Sequence, residues 1–338
     1  MARKKKISMQ QIANELSISK VTVSKALNNK DGVSEALRSQ ILRTSEKYGY
    51  TLPNYGQRKA LNVAIIMNSR FTSSSDSGRF YMQMYEEIVS ELRKVFCSSM
   101  LFTPAYETVD KDLEMITSQG LVDGIILLGI LESGVCEKVD AISLPKIYVD
   151  IYDKTGMSDS VVSENIYSSY ELTKYLLQMG HERIGFVGSV GATTSITDRF
   201  LGYQRALMDK KLSILYKWLV PDRNIEEDEA IDLVLPADMP TAFVCNCDES
   251  AFRMVKKLKE EGYHIPEDVS IVSFDDDIYA ELCDPKLTTV AVNMEEIGKV
   301  TAKRMIKRIK EPNEESGKVY RVEGKNIFRN SVKKLRND

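Results

Sequence analysis

The sequence predicts a mixed α/β protein in two parts, an all-α head followed by a core of two parallel-sheet halves. Three observations predict it. Residues 8–28, SMQQIANELSISKVTVSKALN, read as two short helices around a tight turn. From residue 61 onward, short apolar β-branched runs alternate with amphipathic stretches of helical period. Charge is also divided unevenly. Residues 1–60 hold twelve Lys or Arg against four Asp or Glu, and the other 278 hold 34 against 45. A basic head on an acidic body is the footprint of a DNA-binding module joined to something else.

The head is justified helix by helix. Ser8 can cap the first helix, with Gln11 three residues on completing a capping box. Ile12, Ala13 and Leu16 then recur at helical spacing. Ser17 breaks the pattern and Ser19 can cap the second helix. There Val23, Ala26 and Leu27 form an apolar stripe, and Lys20, Val21, Thr22, Ser24, Lys25 and Asn28 the opposite face. A third helix runs from a Ser34 cap through Leu37, Ile41 and Leu42 to about Tyr48, where Gly49 can stop it. This is a helix-turn-helix, which lays its second helix in the major groove. Lys20, Val21 and Lys25 are the candidate base readers, because lysine can donate to guanine and a small apolar group can meet a thymine methyl. Ser8, Thr22, Ser24, Asn28, Ser34 and Asn54 are candidate backbone contacts, which set register without reading sequence. Arg3, Lys4, Lys5 and Lys6 form a basic arm, with a solubilising tail as the other reading. An ordinary three-helix bundle with a solvated polar face is the alternative for the whole head.

A length of 338 residues fits two or three domains. No apolar run approaches a membrane span, and the charged N-terminus is unlike a signal peptide. Five scattered cysteines are then expected to be reduced thiols in the cytoplasm. Cys245 and Cys247 are spaced as C-x-C, but no nearby pair completes a metal site, so neither metal nor cofactor is expected.

In the core, LNVAIIM at 61–67 suits a strand buried on both faces. A helix over 80–95, a strand over 100–102, a helix over about 109–119 and strands at 124–128 and 146–150 follow. The rhythm repeats with a helix over 165–179, a strand in RIGFVG at 183–188, a helix over 198–210 and a strand in KWLV. TAFVC at 241–245, a helix over 249–261 and VSIVSF at 269–274 complete it. Two such halves in series leave a ligand cleft at the carboxyl ends of their strands.

Catalysis has little to stand on. No G-x-G-x-x-G follows Met67, where the chain reads NSRFTSSSDSG. Gly185, Gly188 and Gly191 are a weak phosphate-loop signal that tight loop geometry also explains. His181 and His264 are the two histidines, so a histidine triad is not expected. Asp275, Asp276 and Asp277 could hold a cation, or offer one carboxylate to a polar ligand while the others face water.

Through its length the chain resembles the lactose-repressor/galactose-repressor family of bacterial transcription factors. The segments that carry the resemblance are ISKVTVSKALNNKDGVSEALRSQI, EKYGYTLPN, VDGIIL, MGHERIGFVG, DRFLGY, PTAFVCNCDESA, IPEDVSIVSFDDD and PKLTTVAV, in that order. The resemblance implies a homodimer on a near-palindromic operator. It also implies a periplasmic-binding-protein-like core that senses a small effector, commonly a sugar or sugar phosphate. It divides the chain into a head with a short linker at 1–60 and a core at 61–338. One core half is about 61–163 plus 293–325, the other about 164–290 plus 326–338.

Carried over by residue, Lys20, Val21 and Lys25 match base-reading positions, with lysine at 25 where the family usually has a bidentate arginine. Asp150, Arg199 and Asp275 match effector-contacting groups, Phe80 and Tyr81 an aromatic pair near the cleft, and Ser69 joins the candidates. Cys247 stands where the family often has Asn, which removes an amide donor and acceptor. After Pro53 and Asn54 only YGQRKA precedes the strand, with Gly56 weakening any hinge helix and Leu61 claimed by the strand. Minor-groove insertion is therefore expected to be reduced or absent. The expected function is an effector-controlled regulator, as a repressor of carbohydrate genes, rather than an enzyme. The alternatives are a sugar-binding or sugar-processing α/β protein without operator specificity, and an exported solute receptor.

Overall fold

The computed structural model describes residues 8–27, 32–48, 50, 61–72, 76–132, 134–225 and 229–335. The basic arm at 3–6, Asn28, Gly49, Asn54 and the linker around Gly56 lie outside the described residues. The chain divides into two compact units, Met1–Ala60 and Leu61–Asp338.

The first unit holds α1 (Met9–Glu15), α2 (Lys20–Leu27) and α3 (Glu35–Lys47). The Gln11 side chain accepts from the Ser8 amide at 2.8 Å, and Ser19 Oγ accepts from the Thr22 amide at 2.9 Å, so both serine starts are real caps. Ser17 turns the chain between them at φ +52. Ile12, Ala13, Val23, Ala26 and Ile41 close a small core at the crossing of the three helices. Arg38 of α3 donates to the Ala26 carbonyl at 3.0 Å, satisfying an end of α2 from a neighbouring helix.

The second unit contains two sheets. Its first sheet draws on β1 (Leu61–Met67), β2 (Cys97–Phe102), β3 (Gly124–Leu128), β4 (Lys146–Val149) and β5 (Asp159–Ser163), with helices α4 (Asp76–Lys94), α5 (Val109–Thr117) and α6 (Val135–Asp140) between them. Then come α7 (Asn165–Gln178), β6 (Ile184–Val187), α8 (Thr194–Asp209), β7 (Leu219–Val220), β8 (Ala242–Cys245), α9 (Asp248–Glu260), β9 (Ser270–Val272) and α10 (Ile278–Leu282). The C-terminal stretch adds β10 (Thr289–Ala291), α11 (Met294–Lys310), β11 (Val319–Val322) and β12 (Lys325–Ile327). The strand orders are β11-β5-β4-β3-β1-β2 and β7-β6-β8-β9, with β10 and β12 a separate ribbon. Both sheets are parallel throughout, and the ribbon is antiparallel. The chain passes between the two sheet lobes three times, at β5–α7, β10–α11 and β11–β12, which makes a three-strand hinge.

Burial explains these elements. Val63 to Met67 of β1 have no exposed surface, because helices cover both faces. Met84, Ile88 and Leu92 of α4 pack with Met294, Ile297 and Met305 of α11 on one face of the first sheet. In the second lobe α8 lies so close to α7 that a Cβ on Gly202 would stand 2.1 Å from the Ile166 carbonyl oxygen. Asp159 of β5 is fully buried and takes Arg304 and Arg308 of α11 at 2.7–3.1 Å. That pairing welds α11 to the sheet.

Several elements differ from expectation for local reasons. KWLV is only half strand: Tyr216–Trp218 form a single 3-10 turn, and Trp218 Nε1 donates to the Asp238 carbonyl. The helix expected from 198 begins at Thr194, because Thr193 caps it through the Ile196 amide. The helix expected from 80 begins at Asp76, and the strand expected from 100 begins at Cys97. The helix expected to about 119 ends at Thr117 and tightens into a 3-10 turn. VSIVSF pairs only over Ser270–Val272.

Candidate functional site: the reading helix and the core cleft

In the head, α2 presents Lys20, Val21 and Lys25 to solvent, with Val21 64% exposed. Among the described residues Val21 does not belong to the apolar cluster of the head. Thr22 and Ser24 are partly buried, and the Thr22 hydroxyl shares a 2.8 Å hydrogen bond with Ser19. Ser34 accepts from the Leu37 amide at 3.4 Å, so it caps α3. Ser8 is exposed at the start of α1. Lys20, Val21 and Lys25 thus share one open face, whereas Ser8, Thr22 and Ser34 also serve helix starts.

The cleft of the core lies between the lobes. Counted with its open mouth, its empty space is roughly 670 Å³. Asp150 reaches it from the end of β4, beside Phe80 and Tyr81 of α4. Arg199 reaches it from α8, Cys247 from the end of β8 and Asp275 from beyond β9. Six of the seven expected effector residues therefore line one cavity. Ser69 does not: it is exposed in the 3-10 turn after β1, and Arg70 and Phe71 of the same turn line the cleft.

Arg199 is the centre of the arrangement and is 4% exposed. Its Nε donates to Asn165 Oδ1 at 2.9 Å, Nη1 to the Asn246 carbonyl and Nη2 to Asp275 at 3.1 Å. The guanidinium also lies 4.5 Å from the Phe274 ring centroid. Its ion pair is with Asp275 and not with its chain neighbour Asp198. Asp198 instead accepts from Tyr152 at 2.6 Å, a hydrogen bond that joins the two lobes. Asp150 accepts from the Tyr81 hydroxyl at 2.8 Å. Its pKa is raised to about 6, chiefly by burial, with Tyr81 and Arg199 pulling down and Asp275 and Asp198 pushing up. Burial raises Asp275 as well, against the pull of Arg199.

Backbone strain marks the same places. Asp150 has φ +60, Asp275 +107 and Asp276 +54, a left-handed region that costs side-chain-bearing residues free energy. The surrounding bonds hold that geometry. Asp248, fully buried, accepts from Ser273, Thr289 and the Asp277 amide, and so pins the 275–277 loop.

One further expectation needs correction. Asp276 and Asp277 do not simply face water: Asp276 pairs with Arg329 at 2.7 Å, and Asp277 caps α10 through the Tyr279 amide while lining the cleft. Among the described residues no group of three His, Cys, Asp or Glu is arranged to hold a metal. Cys247 is a helix cap, accepting from the Ser250 amide at 3.5 Å, with burial pushing its thiol up to about 12. Asn246 does not stand in for the missing amide, because its Nδ2 donates inward to Val187, Asp222 and Ser250. His181 is buried between Thr241 and the Lys333 carbonyl, and His264 meets Asp268 on the surface. Neither histidine lines the cleft.

Sequence reasoning missed Arg70, Phe71, Ser195, Arg223 and Asp277 as lining residues. Arg223 is the most consequential. It follows β7 and is gripped by Asp222, whose carboxylate also accepts from the Ser189 amide, Asn246 and Ser250 at 2.6–3.0 Å. Burial alone would raise Asp222, but Arg223, Ser250 and Asn246 hold it down at about 2. The signal was available, since Asp222 and Arg223 follow a predicted strand end in the half that supplies the cleft.

Comparison with known proteins bears on both parts of the chain. Residues 8–54 match the family described as bacterial regulatory proteins, lacI family, and residues 173–332 match the periplasmic binding protein-like domain. The HTH-type transcriptional repressor PurR of Vibrio parahaemolyticus is 25% identical over 338 residues, spanning 97% of this chain and 99% of that protein. Among solved structures, a transcriptional regulator CelR–cellobiose complex superposes with a TM-score of 0.69 at 22% identity, covering 96% of this chain and all of that one. A lac repressor dimer bound to operator and an anti-inducer superposes at 0.66 and 16% identity, covering 97% of this chain and all of that one. At such identities the two structures establish the fold. The helix-turn-helix match, the core-domain match and the full-length relative together show a lacI-type helix-turn-helix domain joined to a periplasmic binding protein-like domain, the arrangement of LacI-family regulators.

Proposed function

We infer that the protein is a sequence-specific DNA-binding transcriptional regulator whose core cleft binds a small polar effector and thereby sets operator affinity. One observation carries the reading. A single chain joins a lacI-type head, with Lys20, Val21 and Lys25 on one exposed helix face, to a cleft where Asp150 and Arg199 face each other from opposite lobes. The full-length relative is a repressor, and this protein acts on its operator in the same sense. Such a protein works where operator DNA is, in the bacterial cytoplasm. Among the described residues no helix is long and apolar enough to cross a membrane.

Lys20 and Lys25 would donate to base edges and Val21 would meet a thymine methyl. A family relative binds operator as a dimer, and two heads reading half-sites one turn apart need a fixed spacing. The core supplies the bias. Three hinge strands connect the lobes, and an effector touching Asp150 on one side and Arg199 and Asp275 on the other favours one lobe angle. Only such differential affinity can shift the equilibrium between states. A relative of the same fold holds cellobiose, and a carbohydrate suits a cleft that has carboxylates and an aromatic wall of Phe71, Phe80 and Tyr81.

The test is a gel shift with DNA from the chain's own promoter region, with and without a carbohydrate panel. A discrete complex whose affinity a sugar alters supports the reading. Equal binding to random DNA, unmoved by every sugar, sinks it.

A further inference from the structure

Two pairs of residues face each other across the lobes from the same two segments. On the first lobe, Asp150 and Tyr152 stand two residues apart in the loop after β4. On the second, Asp198 and Arg199 are neighbours near the start of α8. Asp150 and Arg199 line the cleft, and Tyr152 and Asp198 do not. Instead the Tyr152 hydroxyl donates to Asp198 at 2.6 Å, the short distance of a hydrogen bond to a charged carboxylate. Both ends are anchored within their own lobes. The Asp150 amide donates to the Val161 carbonyl and the Asp153 amide to Ser160 Oγ, each at 2.9 Å and each on β5. Ser169 of α7 donates to the Arg199 carbonyl at 2.6 Å, and α8 packs on α7 at Gly202, where no Cβ fits. A bond between two anchored groups ties lobe to lobe, not merely loop to loop. Arg321 of β11 and Glu164 at the head of α7 flank the pair, 3.8 Å from each other. Burial raises the Asp198 carboxyl, with Tyr152 and Arg321 pulling down and Glu164 pushing up, so Asp198 depends on the hydroxyl it accepts from.

We propose, on the reading of the cleft as the effector site, that Tyr152 and Asp198 are positioning residues whose bond latches the lobes and holds Asp150 opposite Arg199. Fixing residue 152 against residue 198 fixes residue 150 against residue 199, because each pair shares a rigid segment. The protein's own side chains then supply part of the free energy of closure, and an effector bridging Asp150 and Arg199 supplies the remainder. A second contact crosses between the lobes on other residues. The Arg79 guanidinium of α4 stands 5.4 Å from the centroid of the Tyr279 ring of α10. A cation over a ring is a weaker tie than a hydrogen bond to a carboxylate. It involves neither member of the latch, so it reports lobe opening from a distance.

The test is amide hydrogen exchange on the full-length protein with no small molecule added. Tyr152→Phe keeps the ring and removes the donor, Asp198→Ala removes the acceptor, and Asp198→Asn keeps an oxygen for the Tyr152 hydroxyl. In Tyr152→Phe and Asp198→Ala the amides of α10 should exchange at least about threefold faster, because lobe opening frees Tyr279 from Arg79. Asp198→Asn should stay near the wild type there, and β1 and β8, inside the lobes, should keep their rates in all three. A merely local role would speed exchange only around residues 150–158 and 193–199. Rates in α10 that are unchanged in either Tyr152→Phe or Asp198→Ala, whichever folds, or that rise equally in β1 and β8, overturn the proposal. Operator binding by the same variants reports the functional reading separately. Faster exchange in α10 with operator affinity unmoved would fault that reading and leave the latch standing.

Discussion

Replacing Asp150 by Asn should stabilise the free protein while destroying its response to effector. Asp150 is 7% exposed and its carboxyl titrates at about 6, against 3.8 for a free aspartate. Each pKa unit is about 1.4 kcal/mol, so the charged carboxylate costs the folded state up to about 3 kcal/mol at neutral pH. The sign follows from proton binding. Between about pH 4 and 6 the folded state holds a proton that the unfolded state has released, so stability falls as pH rises through that window and levels off above it. Asn keeps an oxygen for the Tyr81 hydroxyl and removes the charge. For a core of this size 1 kcal/mol moves the melting temperature by about 2 °C, so the variant should melt up to about 6 °C higher at pH 7.5. The gap should close as pH falls below about 4. Thermal melts of both proteins from pH 4 to 8 measure it, and a variant no more stable than wild type at pH 7.5, or a gap indifferent to pH, would refute the reasoning. The same substitution should abolish effector-dependent release in a gel shift, the usual trade of stability against function at a strained site.

Three further outcomes are expected. Asp222→Ala removes the acceptor of Arg223, Ser250, Asn246 and the Ser189 amide at once, and urea melts should show a loss of about 3–5 kcal/mol; a loss below about 1 kcal/mol would mean that water replaces the carboxylate. Gly202→Ala drives a methyl against the Ile166 carbonyl and should cost about 1–3 kcal/mol by the same assay, as overpacking does; a neutral change would show that α7 and α8 can part freely. Lys25→Ala should weaken operator binding by about 1–3 kcal/mol and relax base preference at one position, whereas an equal loss on operator and random DNA would mark Lys25 as a phosphate contact.

The elements legible from sequence are those whose pattern is self-sufficient. LNVAIIM and GIILL are apolar throughout because helices cover both faces, and such runs leave little choice. The head was legible through its caps, since Ser8, Ser19 and Ser34 each precede a helix in the sequence as in the fold. Elements that depend on distant partners were not legible. β5, DSVVS, is a buried strand only because Arg304 and Arg308, some 145 residues later, neutralise Asp159. The helix α11 and the strands β11 and β12 complete lobes begun more than 150 residues earlier, and no local signal says so.

The cleft divides along the same line. Asp150, Arg199 and Asp275 stand at strand ends or a helix start, where the topology of parallel sheets puts ligand groups. Spacing could not tell which nitrogen or oxygen each residue has left for a ligand. That depends on Asn165, Asn246 and Asp222, whose partners are set by tertiary packing. Cys247 shows the limit most plainly, since a position that resemblance marks for an amide holds a thiol capping α9.

The central claim is that binding in the cleft changes what the head does on DNA. The most direct measurement is a footprint of the wild-type and Arg199→Ala proteins on the same promoter fragment across a concentration series of a neutral sugar found to bind the core. The account predicts a symmetric footprint for both proteins, shifted in affinity by the sugar only in the wild type. A footprint that the sugar leaves unmoved in the wild type, or moves equally in Arg199→Ala, would contradict it.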